Sequence, residues 1–176
     1  MTTIITSTVA VLTLTATGAF AENVEIYATD ILDNTQDGYC VDISGAQGDQ
    51  ADPADGLQGH RCYSPSGEIY VDQAFDSEEF ADGVLYMPEF AVCAQAASMD
   101  TGAEIDLMDC DGSDAQNFIF TGKGTISLAA APGMCLTLGE NTRPGRSDTN
   151  QIKELTLEEC SDDAANYQSW GNRTAD

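Results

Sequence analysis

The sequence predicts an all-β domain in which three similar units of about four short strands close around a common axis. Six cysteines alternate between the openings and the closings of these units, and each unit ends in a Gln-x-aromatic tripeptide. No stretch carries the sustained apolar stripe of a long helix. Since one such unit cannot bury its apolar face alone, the three units are expected to share one core.

Each unit opens at a cysteine and closes with an alternating strand that ends at the next cysteine. The openings are Cys-Val-Asp-Ile at Cys40, Cys-Ala-Gln-Ala at Cys93 and Cys-Leu-Thr-Leu at Cys135. The closing cysteines are Cys62, Cys110 and Cys160. Apolar and polar residues alternate with period two between turn residues, which is typical of strands, and one further short strand precedes each opening.

The Gln-x-aromatic tripeptides are interpreted first as elements of the fold. They are Gln73–Phe75, Gln116–Phe118 and Gln168–Trp170. We expect the three aromatic rings to fill equivalent places in the shared core. The glutamine side chains are expected to satisfy buried backbone groups, because buried polar groups are almost always hydrogen-bonded.

Residues 1–21 predict a cleaved export signal. The segment has no charged side chain, and it ends in Ala19-Phe20-Ala21, with small residues where signal peptidase requires them. Its many threonines make a membrane-spanning helix unfavourable. The remainder, 22–176, is long enough for one domain with one core. We therefore expect a secreted or periplasmic single-domain protein.

The composition excludes several partners. The chain has 6 lysine and arginine residues against 30 aspartate and glutamate residues, a formal net charge of −24. Such a surface repels phosphate backbones and anionic lipid headgroups, so neither nucleic acid nor a membrane is an expected partner. We interpret the negative charge as favouring solubility; it does not indicate a particular ligand. The even number of cysteines in an exported chain predicts disulfides, although spacing alone leaves every pairing open.

The Cys-x-Asp-like openings, the strand–Cys closings and the Gln-x-Trp/Phe tails together resemble the ricin B-chain lectin family over residues 24–171. The resemblance implies a β-trefoil of three four-stranded repeats and a glycan or polysaccharide ligand. The approximate repeats are 24–77, 78–121 and 122–171. The implied disulfides, one in each repeat, are Cys40–Cys62, Cys93–Cys110 and Cys135–Cys160. Each closes a loop of about twenty residues, worth roughly 3 kcal/mol through the unfolded state.

The resemblance places one sugar site in the first repeat. The family combines the Asp of the opening, an aromatic residue two positions before the closing cysteine and an Asn before Gln-x-Trp. The candidate carbohydrate-binding residues in this chain are Asp42, Gln58, His60, Asp72 and Gln73. His60 stands where the family has Trp or Tyr, and Asp72 cannot donate a hydrogen bond when ionised. Tyr63 and Tyr70, in a long stretch after the closing cysteine, are candidates for the missing flat surface.

The other two repeats lack the pair of carboxylate and aromatic side chains. The residues at the three family positions are Gln95, Met108 and Ala115 in the second repeat, and Thr137, Glu158 and Tyr167 in the third. We therefore expect at most one sugar site, with the second and third repeats structural.

A lectin has three alternatives: an enzyme, a calcium-binding protein and a protein-interaction module. An enzyme is not expected, because His60 is the single histidine, no Gly-x-Ser-x-Gly elbow occurs and no nucleophile–base pair can be assembled. The acidic Asp109–Asp114 loop suits calcium chemically, but it lacks the spacing of an EF-hand, so no metal and no cofactor are expected. A protein-interaction or inhibitor module remains open. The stretch Tyr63–Tyr70 would then be the surface for a separate partner protein.

Overall fold

The computed structural model describes residues 22–174 except positions 35, 46, 47, 65, 66 and 68, so the predicted export signal lies outside the described residues. The strands are β1 (Asn23–Ala28), β2 (Tyr39–Ile43), β3 (Leu57–Arg61), β4 (Phe75–Asp76), β5 (Tyr86–Met87), β6 (Val92–Ala96), β7 (Ala103–Met108), β8 (Phe118–Ile119), β9 (Lys123–Gly124), β10 (Ser127–Leu128), β11 (Ala131–Leu138), β12 (Arg143–Pro144), β13 (Gln151–Lys153), β14 (Leu155–Glu159) and β15 (Trp170–Arg173). Short 3-10 turns are Gly48–Gln50, Pro53–Asp55, Val71–Gln73, Glu79–Asp82 and Asp162–Ala164, and the α-helix α1 is Ala165–Gln168.

The strands fall into three four-stranded repeats with three short additions. The first repeat is β1–β4, the second is β5–β8, and the third is β10, β11, β14 and β15. The additional strands β9, β12 and β13 all lie next to or within the third repeat. The hairpin of β12 and β13 fits there because the third disulfide spans 25 residues, against 17 in the second repeat.

Each repeat contributes one long antiparallel pair of strands. These pairs are β2 with β3, β6 with β7, and β11 with β14. The first strand, β1, pairs with β4 of its own repeat and with β15 at the end of the chain. The first and third repeats are therefore joined edge to edge, which closes the pseudo-threefold arrangement.

The Gln-x-aromatic rings form part of one shared core. Phe75, Phe118 and Trp170 are each at most 2% exposed. The indole Nε1 of Trp170 donates to the carbonyl of Leu136 at 3.0 Å, so the only polar atom of the largest core side chain is satisfied. Burying rings of this size contributes on the order of 2 kcal/mol or more each.

The three disulfides are Cys40–Cys62, Cys93–Cys110 and Cys135–Cys160, one in each repeat. This confirms the connectivity that the family resemblance implies. Their Cα–Cα distances are 4.9, 5.1 and 5.0 Å, which are usual for disulfides. Each disulfide joins the first strand of the long pair in its repeat to the residues that follow the second strand.

The three glutamines of the Gln-x-aromatic tripeptides make equivalent hydrogen bonds. Each donates to the carbonyl of the residue before the closing cysteine and accepts from the N–H of the residue after it. Each also donates to the side chain two positions after the opening cysteine. That side chain is Asp42 in the first repeat, Gln95 in the second and Thr137 in the third. We call this arrangement the glutamine lock.

Candidate functional site

A cavity of about 760 Å³ opens between the first repeat and the β12–β13 hairpin of the third. Four of the five residues that the sequence predicts for the site line it: Asp42, Gln58, His60 and Asp72. The fifth, Gln73, is outside the lining and fully buried, with its carboxamide engaged in the glutamine lock. Among these contacts, Gln73 Nε2 donates to Asp42 Oδ2. The cavity is of a size that holds small ligands.

Asp42 is a buried carboxyl held from two sides. Gln58 Nε2 donates to its Oδ1 at 3.0 Å, and Gln73 Nε2 donates to its Oδ2 at 2.9 Å. Burial raises the pKa of Asp42 to about 8; the hydrogen bond from Gln58 opposes this rise, and the nearby carboxyl of Asp72 adds to it. With this pKa, Asp42 keeps its proton at neutral pH. The protonated carboxyl can both donate its own proton and accept a further hydrogen bond.

His60 lies on β3, two residues before Cys62, and is 7% exposed. Burial lowers its pKa to about 4, and the positive charges of Arg61 and Arg143 lower it further. Its Nδ1 lies 3.8 Å from Asp42 Oδ2. This contact is not an ion pair, because near neutral pH the histidine is uncharged and Asp42 holds its proton.

Asp72 contributes a second buried carboxyl. It lies in the 3-10 turn Val71–Gln73 and is 1% exposed. Its Oδ2 accepts from the backbone N–H of Gly48 at 2.8 Å. Burial raises its pKa, and the Gly48 hydrogen bond opposes the rise. Within the part of the chain that the structure describes, Asp72 Oδ1 and His60 Nδ1 are buried without a hydrogen-bond partner. Two unsatisfied polar atoms therefore belong to residues that line the cavity.

Two tyrosines of the long stretch after Cys62 supply an aromatic wall. Tyr63 and Tyr70 both line the cavity, with their ring centroids 4.8 Å apart in an edge-to-face arrangement. The Tyr63 ring also lies 5.5 Å from the His60 ring. Burial raises the pKa of Tyr63, so its hydroxyl stays protonated and can donate. The stretch is anchored at Ser64, whose hydroxyl donates to the fully buried Glu25.

The third repeat supplies a wall that the sequence motifs do not indicate. The cavity residues from this hairpin are Gly145, Arg146, Asn150 and Ile152. Arg143, on the same hairpin, donates from a guanidinium nitrogen to Gln58 Oε1 at 3.0 Å. Motif matching missed these residues because they lie outside the first repeat. The one signal for them is the longer stretch between Cys135 and Cys160.

The hairpin docks on the first repeat through a glycine and a buried lysine. β13 pairs with β3 in the register Ile152–His60 and Lys153–Gly59. A Cβ at Gly59 would lie 3.5 Å from the Lys153 Cβ and would collide with Leu138 Cδ2, so a side chain here would displace the end of the buried Leu138. Lys153 is 2% exposed, and its ammonium group donates to the carbonyl of Glu140 at 2.9 Å.

The same ammonium group ties the hairpin to the segment before β2. It lies 3.3 Å from Asp33 Oδ1 and 5.3 Å from the centre of the Tyr39 ring. The Tyr39 hydroxyl in turn donates to Asp33 at 2.8 Å. A buried charge needs partners of this kind. This network therefore fixes the third-repeat wall relative to the first repeat.

The predicted acidic loop does not assemble a metal-binding group among the described residues. In Asp109–Asp114, the side chain of Asp111 accepts from the N–H of Ser113 at 2.8 Å, which lowers the pKa of Asp111. The one three-residue group of metal-ligand type within the described ranges is Glu25 with Cys40 and Cys62. Both of its sulfurs are bonded to each other, so they are not free thiolate ligands.

Comparisons with known proteins agree with this architecture. The model of the ricin-type β-trefoil lectin domain matches residues 81–175, more than half of the chain. A search of curated proteins finds no match. In the described residues, no helix has the length and apolarity needed to cross a membrane.

Solved structures of three lectins resemble the chain in fold. The β-trefoil lectin of the Vibrio vulnificus hemolysin/cytolysin has a TM-score of 0.57 at 14% identity, over 90% of this chain and 98% of that one. An earthworm R-type lectin C-half has a TM-score of 0.55 at 16% identity, over 87% and 98%. The agglutinin of Abrus precatorius has a TM-score of 0.61 at 18% identity, over 91% of this chain and 51% of that one.

The three disulfide-bridged repeats and the shared aromatic core define a pseudo-threefold β-trefoil. This confirms the fold that the sequence predicts. The chain belongs to the ricin-type β-trefoil lectin family. Membership of this family supports carbohydrate binding as its general function.

Proposed function

We propose that this chain is an exported carbohydrate-binding protein with one sugar site, formed by the first repeat and completed by the third-repeat hairpin. The proposal rests on the cavity beside Asp42, where buried polar atoms of Asp72 and His60 lack partners. A sugar brings hydroxyl groups that both donate and accept, together with an apolar face that suits aromatic rings such as Tyr63 and Tyr70.

Related proteins support a saccharide as the ligand class. The Vibrio vulnificus lectin was solved with N-acetyl-D-lactosamine bound, and the earthworm lectin with GalNAc. We carry over only the ligand class, because identities of 14–16% establish the fold and not the sugar. We propose binding without catalysis, since the single histidine, His60, has a pKa of about 4 and the site holds no activated nucleophile.

The proposed domain organisation follows the repeats. Residues 1–21 would be removed on export, leaving 22–176 as one domain with repeats of about 24–77, 78–121 and 122–171. Three disulfides are typical of an extracellular or other oxidising compartment. Sequencing of the N-terminus of the exported protein would test the cleavage site; Glu22 is the expected first residue.

The sugar site is tested by exchanging Asp42 for the residue that the third repeat uses. We expect the wild-type protein to bind galactose-type or xylan-type glycans on an array, with a dissociation constant of roughly 0.1–1 mM as suits a shallow site. Asp42→Thr should abolish this binding while the fold persists, because Thr137 occupies the same place in the third glutamine lock. Retained near-ultraviolet circular dichroism from Trp170 would report the fold.

The matched control is Gln95→Thr, which makes the same exchange in the second repeat and should leave glycan binding unchanged. A folded wild-type protein that binds no glycan would refute the proposal. Binding of a partner protein that survives Asp42→Thr but is lost in Tyr70→Ala would favour the protein-interaction alternative. Glycan binding lost only in chelator would move the site to the Asp109–Asp114 loop.

A further inference from the structure

One basic side chain, Arg146, lines the cavity of this strongly acidic protein, and the exposed Asp49 lines it as well. The chain has 6 lysine and arginine residues and a formal net charge of −24. Two of those six, Arg143 and Arg146, lie on the hairpin that walls the cavity. Arg146 lines the cavity directly, and within the described residues its guanidinium group forms no ion pair or hydrogen bond to the protein. Its donors are therefore available to a ligand.

The interior of the same cavity offers hydrogen-bond acceptors where the hairpin offers a positively charged donor. Asp42 and Asp72 are each 1% exposed, and their oxygens accept hydrogen bonds. Asp72 Oδ1 has no donor within the described part of the protein. Hydroxyl groups satisfy these oxygens, whereas an anionic group buried beside them would lose its hydration without gaining a positive partner. A ligand with an anionic group must therefore direct it toward the hairpin.

Resting on the proposed sugar site, we propose that its preferred ligand is an acidic saccharide, whose ring hydroxyls donate to Asp42 and Asp72 and whose carboxylate or sulfate pairs with Arg146. Arginine suits this task because its planar fork matches the oxygens of a carboxylate or a sulfate. Arg143 adds positive charge at the same rim while it holds Gln58 in place. The third repeat thereby decides the specificity of a site whose buried half belongs to the first.

The net charge of the protein gives this rim a selective role. An anionic ligand approaching most of the surface meets like charge, and Arg146 offsets part of this repulsion at the cavity, even though Asp49 lines it too. Because Arg146 is exposed, the pairing is partly screened, and the expected gain is modest. We expect an acidic sugar to bind about tenfold more tightly than its neutral counterpart, which corresponds to about 1.4 kcal/mol.

The test compares sugars that differ only at C6. The probes are methyl galactoside with methyl galacturonide, and methyl glucoside with methyl glucuronide, titrated calorimetrically into the protein at 20 mM salt. For at least one pair, we expect the uronide to bind about tenfold more tightly, and the preference to fall to about threefold or less at 0.5 M salt as the charges are screened. Arg146→Gln should abolish the preference. The matched control Lys123→Gln removes an exposed positive charge outside the cavity and should retain it.

Uronides that bind no more tightly than the neutral sugars would overturn the inference. If a neutral sugar binds through Asp42 and the uronide has no advantage, only this inference fails. If neither member of any pair binds to the folded protein, the proposed sugar site fails with it. A preference for uronides that persists in Arg146→Gln would also overturn the inference, because the selectivity would then arise elsewhere.

Discussion

The first and third repeats contain the same glutamine lock around different central residues. In the third repeat, Gln168 Nε2 donates to the hydroxyl of Thr137 at 2.9 Å, and in the first, Gln73 Nε2 donates to the carboxyl of Asp42 at the same distance. The fold therefore needs only an oxygen at this position. A buried carboxyl is costly, as its pKa of about 8 indicates. Under the proposed function, Asp42 occupies this place, where a threonine also serves the fold, because it binds the ligand.

The cost of the buried Asp42 predicts a pH dependence that the third repeat lacks. In the unfolded chain Asp42 ionises near its ordinary pKa of 3.8, whereas in the folded protein it holds its proton to about pH 8. Its contribution to stability is therefore complete below about pH 4 and is lost as the pH rises to about 8. We expect the free energy of unfolding of the wild type to fall, relative to Asp42→Thr, by on the order of 1 kcal/mol for each pH unit in this window.

Urea unfolding of both proteins between pH 4 and pH 9 measures this difference. Asp72, whose pKa is also raised by burial, adds a slope of the same sign in both proteins, so the difference between the profiles reports Asp42 and its coupling to Asp72. Gln95→Thr serves as the control and should follow the wild-type profile. Parallel profiles for the wild type and Asp42→Thr would show that burial does not hold Asp42 neutral.

The equivalence of the locks predicts equal losses of stability in two repeats. Gln73→Leu and Gln168→Leu should each lower the free energy of unfolding by about 3 kcal/mol, because each leaves a buried carbonyl and a buried N–H without partners. The matched control is Gln50→Leu, at an exposed glutamine, with an expected change within about 0.5 kcal/mol. Denaturant unfolding at constant pH provides the comparison. A large loss at one lock and none at the other would contradict their equivalence.

The docking of the third-repeat hairpin predicts a cost for one added methyl group. Gly59→Ala should lower the free energy of unfolding by about 2 kcal/mol, because the new Cβ collides with Leu138. It should also speed hydrogen exchange at Ile152 and Lys153, whose strand pairs with β3. Gly133→Ala is the control, because a Cβ there meets no atom within 4 Å. Equal stabilities of the two variants would show that the hairpin does not depend on Gly59.

The aromatic wall predicts an effect on binding with little effect on stability. The Tyr70 side chain is 54% exposed, so Tyr70→Ala should change the free energy of unfolding by less than about 0.5 kcal/mol. The affinity for the sugar should fall about fivefold, or about 1 kcal/mol, as contact with the ring is lost. Met108→Ala, at the position in the second repeat that corresponds to His60, should leave affinity unchanged. Calorimetric titration measures the sugar affinity of both variants. Equal affinities would show that Tyr70 does not contact the sugar.

Much of the fold follows from short-range patterns. The strand ending at Cys160 carries Leu155 and Leu157 alternating with Thr156 and Glu158, and the structure buries the two leucines. The sequence predicts that the three glutamines bind buried backbone groups, because a glutamine next to a core aromatic residue needs buried partners. Its link to the residue two positions after the opening cysteine was not anticipated, since sequence patterns do not show which side chains meet across strands.

The candidate site was only half predictable. Asp42, His60 and Asp72 are predicted because they occupy family positions within one repeat, and the structure places all three at one cavity. The wall from the third repeat was missed, because it depends on the pairing of β13 with β3 across about ninety residues of sequence. A ligand contact of Gln73 stays a prediction; in the structure its side chain is fully buried and donates to Asp42.

The sequence by itself determined the threefold repeat, the alternation of its strands and the candidate carboxylates. These properties are local or periodic, so they can be read without knowing which segments meet. Only the tertiary structure decided that Asp42 is buried enough to hold a proton, and that Arg146 faces the same cavity. Burial and electrostatic potential are sums over all neighbours in space, and those neighbours come from distant parts of the chain.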